Sequence, residues 1–123
     1  MRIAIVGSRN LTVSMETLEK VLPWYTDEIL SGGARGIDSC AKQYAKMKNM
    51  KYIEYLPEYE KYGRSAPLVR NIKLIVDSPM VYAFWDGKSR GTKYVISNCR
   101  KMGIPCKVFL LIDDDYIEVT TLD

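Results

Sequence analysis

An α/β fold on a mainly parallel five-stranded sheet is what this sequence predicts, and three observations predict it. Short apolar runs rich in β-branched residues alternate along the chain with stretches whose apolar residues recur at helical spacing. The run Met80 to Phe84 is apolar throughout, as a strand buried on both faces is. Three of the runs end in glycine-containing loops that lead into helical stretches. A length of 123 residues, of which 47% are hydrophobic, suits one domain with a single core, spanning residues 1–123.

The elements follow in order. Residues 2–6 (RIAIV) form a compact first strand that stops at Gly7. From 12 to 25, Val13, Leu18, Val21, Leu22 and Tyr25 recur at helical spacing, with Thr12 or Ser14 as the cap and Pro23 near the end. Glu28 to Leu30 make a short second strand. A helix over about 37–49 places Ile37, Cys40, Ala41, Tyr44, Ala45 and Met47 mostly inward and Lys42, Lys46 and Lys48 outward. Residues 52–56 (YIEYL) alternate weakly as a third strand. Ser65 then caps a helix with Pro67 in its first turn, where a missing N–H costs little, and with Leu68, Ile72, Ile75 and Val76 as its buried stripe. After the fourth strand, Thr92 caps a last helix that turns Val95, Ile96 and Cys99 inward and ends at Gly103. Strand five covers about 106–112, and 116–120 is an optional edge strand.

Composition excludes several chemistries. With no histidine there is no Ser-His-Asp triad, no Cys-His pair and no histidine metal ligand. The three cysteines, Cys40, Cys99 and Cys106, form no CxxC and read as reduced thiols of a cytoplasmic protein. No apolar run approaches a signal-peptide core or a membrane span, so a soluble protein without membrane association is expected. The net charge of +3 is unevenly spread. Residues 113–123 hold five acids and no base, so the first 112 residues set all 18 bases against ten acids, a net charge of +8. A basic body suits an anionic partner such as a nucleotide or nucleic acid, although the three lysines of the second helix are more simply its solvated face.

The three loops are Gly7-Ser8-Arg9, Ser31-Gly32-Gly33-Ala34-Arg35-Gly36, and Trp85-Asp86-Gly87-Lys88-Ser89-Arg90-Gly91-Thr92. In a parallel sheet of order 3-2-1-4-5 they share one edge, beside the switch point between strands one and four where ligands bind in such folds. Each runs towards a helix N-terminus, whose free N–H groups and positive dipole end favour an anion. Glycine admits a phosphate close to the backbone, and Arg9, Arg35, Lys88 and Arg90 add charge. Ordinary βα turns also use glycine, but three on one edge, each with a cation, favour an anion site. Neither GxGxxG nor GxxxxGK[ST] is present, which argues against a conventional dehydrogenase or NTPase.

With SGGARGID (31–38), KYGRSAPLVRN (61–71) and FWDGKSRGT (84–92) following Gly7-Ser8-Arg9, the sequence resembles the SLOG superfamily. Within it, the order of these motifs resembles that of the small YspA-like branch and, more distantly, LOG phosphoribohydrolases and DprA proteins. The resemblance covers about residues 2–110. It implies a Rossmann-like three-layer sandwich that binds nucleotide-derived ligands at the glycine-loop edge. By position, it gives SGGARG and DGKSRGT the phosphate, Thr92 a hydroxyl contact, and Arg70 and Asn71 the basic pair facing the crevice. It also implies a homodimer through the flanking helices.

One departure bears on chemistry. LOG enzymes carry GTxxE, and here Gly91-Thr92-Lys93-Tyr94 is followed by Val95, so the glutamate position is apolar. Asp86, Asp38 and Glu58 are the replacement acids, with Asp86 the candidate catalytic residue. Asp38 serves equally well as a helix N-terminal charge. Trp85 and Tyr62 flank the loops and are candidates for stacking on a base, whereas Tyr52 and Tyr55 suit strand packing. No cofactor and no metal is expected. The leading expectation is binding of a nucleoside phosphate or ADP-ribose-like ligand, for sensing or sequestration, with a separate effector or an oligomer as the output. The alternatives are an N-glycosidase acting on nucleoside monophosphates and single-stranded DNA binding.

Overall fold

The computed structural model describes residues 1–119. In chain order the elements are β1 (Arg2–Gly7), α1 (Met15–Val21), β2 (Glu28–Ser31), α2 (Ile37–Met47), β3 (Lys51–Glu54), α3 (Tyr59–Tyr62) with a 3-10 turn (Gly63–Ser65), α4 (Ala66–Val76), β4 (Val81–Trp85), α5 (Arg90–Met102), β5 (Cys106–Ile112) and β6 (Asp115–Val119). The sheet runs β3-β2-β1-β4-β5-β6. The first five strands pair in parallel, and β6 returns antiparallel to β5 through a turn in which Asp113 and Asp114 take positive φ. The expected strand order thus stands in a Rossmann-like α/β fold, with the optional strand present as β6; Thr120 lies outside the described residues.

Each face of the sheet is covered by its own apolar layer. Ile3, Ile5, Ile29 and Phe84 point to the layer shared with α1 and α2, where Leu18, Ile37, Ala41 and Tyr44 meet them. Ala4, Val6, Leu30 and Ala83 point to the other layer, closed by Leu74 and Ile75 of α4 and Val95, Ile96 and Cys99 of α5. This alternation of adjacent residues between two buried faces explains why β1 and β4 read as continuous apolar runs.

Several local expectations are corrected. The helix expected over 12–25 is only α1, capped by Ser14, whose Oγ accepts the Thr17 amide at 3.1 Å. Beyond it, Trp24 is 93% exposed and stands edge-on to Tyr25, whose ring centroid is 5.5 Å away. On α2, Met47 faces solvent. The inward face of α4 is Ala66, Arg70, Leu74 and Ile75, leaving Leu68 and Val76 exposed, because Arg70 occupies the buried seam. Neither Ser65 nor Thr92 caps its helix through the side chain: Ser65 makes no capping bond, and α5 begins at Arg90, with Thr92 buried inside its first turn. The three cysteines are free thiols.

Candidate functional site

The loops after β1, β2 and β4 meet where the sheet order reverses, as parallel strands require. They are packed together by backbone. Gly36 has φ +77°, and a Cβ there would lie 2.5 Å from the Arg9 carbonyl oxygen, so only glycine brings the second loop against the first. Ser8 Oγ lies 3.4 Å from Thr92 Oγ1, and Thr92 Oγ1 donates to Ser89 Oγ at 3.4 Å, which joins the first loop to the start of α5 through the buried hydroxyls of Ser8 and Thr92 and the half-buried one of Ser89.

Between the loops and α4 lies a cavity of about 370 Å³. Its apolar wall is Val6, Pro67, Leu68, Leu74 and Val95. Its polar wall is Arg9 and Asn10 after β1, Gly32, Ala34, Arg35 and Asp38 after β2, Arg70 and Asn71 on α4, and Ser89, Gly91 and Thr92 at α5. Gly7 also lines it. A shallower groove of about 560 Å³ continues from it across Gly33, Leu56 and Pro57, sharing Arg9, Gly32, Ala34, Arg35 and Arg70.

The cations divide into two kinds. Arg9 and Arg35 are exposed at the rim, and neither forms an ion pair among the described residues. Arg70 is buried and occupied: Nη1 donates to the carbonyl oxygens of Gly32 and of Tyr55, the latter at 3.2 Å, and Nε donates to Asn71 Oδ1 at 2.8 Å. Burial pulls its pKa below the usual value, against the attraction of Asp38. Arg70 therefore holds the second loop in shape.

Asp38 is the one carboxylate among the residues lining the cavity. It lies in the first turn of α2, where Oδ2 accepts the Ala34 amide at 3.1 Å. Burial pushes its pKa up to about 6, against the pull of that amide and of Arg70 and Arg9.

The third loop is arranged differently from expectation. Asp86 Oδ1 accepts the amides of Lys88 and Ser89, each at 2.8 Å, an Asx-type turn. Although burial pushes the carboxyl up, the Ser89 and Lys88 amides hold it below the usual carboxylate range. Asp86, Gly87, Lys88 and Arg90 do not line the cavity. Trp85 does not either: it packs on the α4/α5 layer and its indole N–H donates to the Ser89 carbonyl oxygen at 3.0 Å. Ser8, Ser31 and Gly36 lie behind the lining as loop supports, Ser31 Oγ accepting the Gly33 amide at 3.4 Å. Tyr62 is flanked instead by Lys61 and Lys73, each Nζ 5.2 Å from its ring centroid. Glu58 pairs with Lys73 at 3.1 Å, away from the cavity.

Two features lay beyond sequence reasoning. Asn10 lines the cavity next to Arg9, and extending the first glycine loop by one residue would have found it. The apolar wall comes from core positions of β1, α4 and α5 that carry no signal except their place in the fold. Among them, Val95 lines the cavity from the second turn of α5 as a hydrocarbon.

No helix among the described residues is long and apolar enough to cross a membrane. The model of a family described as DNA recombination-mediator protein A matches residues 1–63, which carry β1, β2 and the first two glycine loops. Gene 61 protein of Mycobacterium phage D29 is 31% identical over 83 residues, covering 63% of this chain. The chain in turn covers 66% of the length of that relative.

Proposed function

As this chain belongs to the DNA recombination-mediator protein A family, we propose that its crevice holds a small nucleotide-derived ligand, a nucleoside phosphate or an ADP-ribose-like molecule, for sensing or sequestration. The observation that carries this reading is the cavity at the switch point, whose lining combines Arg9 and Arg35, neither of them in an ion pair among the described residues, and the first turn of α5 with hydrocarbon from Val6, Leu74 and Val95. A phosphate needs the first, and a base or sugar face packs on the second. The order of the KYGRSAPLVRN and FWDGKSRGT segments supports the YspA-like branch of SLOG proteins within this reading.

Cleavage of an N-glycosidic bond has less support. Asp86 is engaged in its own turn, Val95 stands where LOG enzymes have glutamate, and Asp38 is the remaining acid at the cavity.

Single-stranded DNA binding is the second reading, favoured by the family and by the open groove that continues from the cavity past Leu56 and Pro57. Calorimetric titration with AMP, ADP-ribose, inorganic phosphate and a short oligothymidylate separates the two. Saturable binding of AMP or ADP-ribose, weakened in Arg35→Ala, supports the small ligand. Binding of the oligonucleotide alone, with affinity falling by a log-log salt slope of about 0.7 per phosphate contacted, supports DNA. No heat and no competition with any of the four overturns both.

A further inference from the structure

Asp38 is ill-suited to a site that only holds phosphate. An ionised carboxylate repels that group, yet this one is 93% buried in the cavity wall, 7% of its surface remaining exposed. Oδ2 is held by the Ala34 amide, whereas Oδ1 has no hydrogen-bond partner among the described residues and is not sealed from solvent. Since Asp38 lines the cavity, Oδ1 is an acceptor offered to whatever occupies it. Such an oxygen takes O–H or N–H donors only.

The position of the acid says which donors. Asp38 follows β2 and the first turn of α5 follows β4, and β1 lies between these strands. The two ends of the site are therefore about two strand spacings apart, roughly 10 Å. A nucleoside 5′-phosphate is shorter than this from its phosphorus to its sugar hydroxyls, and a hydrogen bond to the protein at each end makes up the difference. With the phosphate at Ser89–Thr92, the groups that reach the β2 side are the sugar hydroxyls.

We propose that Asp38 accepts hydrogen bonds from the ribose hydroxyls of the ligand, so that the crevice selects ribonucleotides over deoxyribonucleotides. This rests on the small-ligand reading above, and it gives the buried acid a positive task. It also sets the site against DNA, whose sugar lacks the 2′-hydroxyl.

The test is a titration of the wild-type protein at pH 7.5 with AMP, 2′-deoxy-AMP and 3′-deoxy-AMP. AMP is expected to bind at least about tenfold more tightly than one of the deoxy forms, the loss expected when a carboxylate is left without its donor. In Asp38→Asn, AMP affinity should fall and the ratio should move towards one, with a thermal melt to establish that the variant is folded. Equal affinity of wild-type protein for all three overturns the ribose assignment and leaves the nucleotide reading standing. Absence of binding by all three overturns both. The wild-type ratio decides the matter even where Asp38→Asn does not fold.

Discussion

The guanidinium of Arg70, on α4, donates to the carbonyl oxygen of Gly32 in the loop after β2. Through Tyr55 it reaches the end of β3 as well. One side chain thus ties together two successive crossovers on the edge that carries the cavity. A buried cation is tolerable because Nε and Nη1 are hydrogen-bonded and Asp38 is close by. The fit is tight: a Cβ on Gly32 would lie 2.8 Å from Arg70 Nη1 and 3.0 Å from Asp38 Oδ2.

Removing this clamp should unfold the loop before it empties the site. Arg70→Met leaves the Gly32 and Tyr55 carbonyls without their donor, at about 1–3 kcal/mol. Arg70→Lys should recover little, since an ammonium lacks the planar fork. Urea denaturation of both variants checks this, and hydrogen exchange at residues 32–36 should rise in each.

The rim cations should behave in the opposite way. Arg9 and Arg35 are exposed and form no ion pair among the described residues, so alanine at either should change folding stability by no more than about 0.5 kcal/mol. Under the proposed function each guanidinium attracts the anionic ligand to the rim without having to touch its phosphate, so AMP affinity measured by calorimetry should fall in either variant, by up to roughly fivefold.

Gly91→Ala separates binding from stability more sharply. A Cβ at Gly91 meets no atom within 4 Å, so the fold accepts it, and replacing glycine near the start of α5 should stabilise by about 0.5–1 kcal/mol. Gly91 lines the cavity, so an added methyl group there is expected to hinder close approach of a ligand to the start of α5. Melting temperature should rise while ligand affinity falls.

Asp38 should give stability a dependence on pH of definite sign. Its folded pKa is raised to about 6 from 3.8, so the native state binds the proton more tightly than the unfolded chain. Stability contributed by the protonated acid is fully present below about pH 4 and is lost as pH rises to about 6, by up to roughly 3 kcal/mol. Unfolding free energies from pH 4 to 7 should show wild type losing ground to Asp38→Asn as pH increases.

What could be read from the sequence is what local pattern controls. The continuous apolar runs of β1 and β4 and the glycine loops after β1, β2 and β4 follow from residue type and spacing, whereas the β2-β1-β4 reversal enters only with the Rossmann-like sheet that the resemblance implies. The tasks of Arg70 and Asp86 did not. Residues 32 and 70 meet only through tertiary packing, and this same meeting turns the buried face of α4 away from Leu68 and Val76. Asp86 is a different case, because the amides that donate to it lie two and three residues ahead. An Asp-Gly-Lys-Ser segment carries that turn in its own sequence, and reading Asp86 as a catalytic acid passes over it. Thr92 belongs with Asp86: a threonine near a helix start suggests a cap, and one turned inward onto Ser8 is a packing feature.

The two tryptophans give the molecule a built-in optical readout. Trp24, almost wholly in water between α1 and β2, should emit at the red end and be quenched freely by iodide or acrylamide. Trp85 is half-buried and its indole N–H is fastened to the backbone of Ser89, one residue before α5. Its emission should be bluer and shielded from quencher, and any occupant that shifts the first turn of α5 will perturb this component while Trp24 serves as an internal reference. Ligands can therefore be screened on the unlabelled protein.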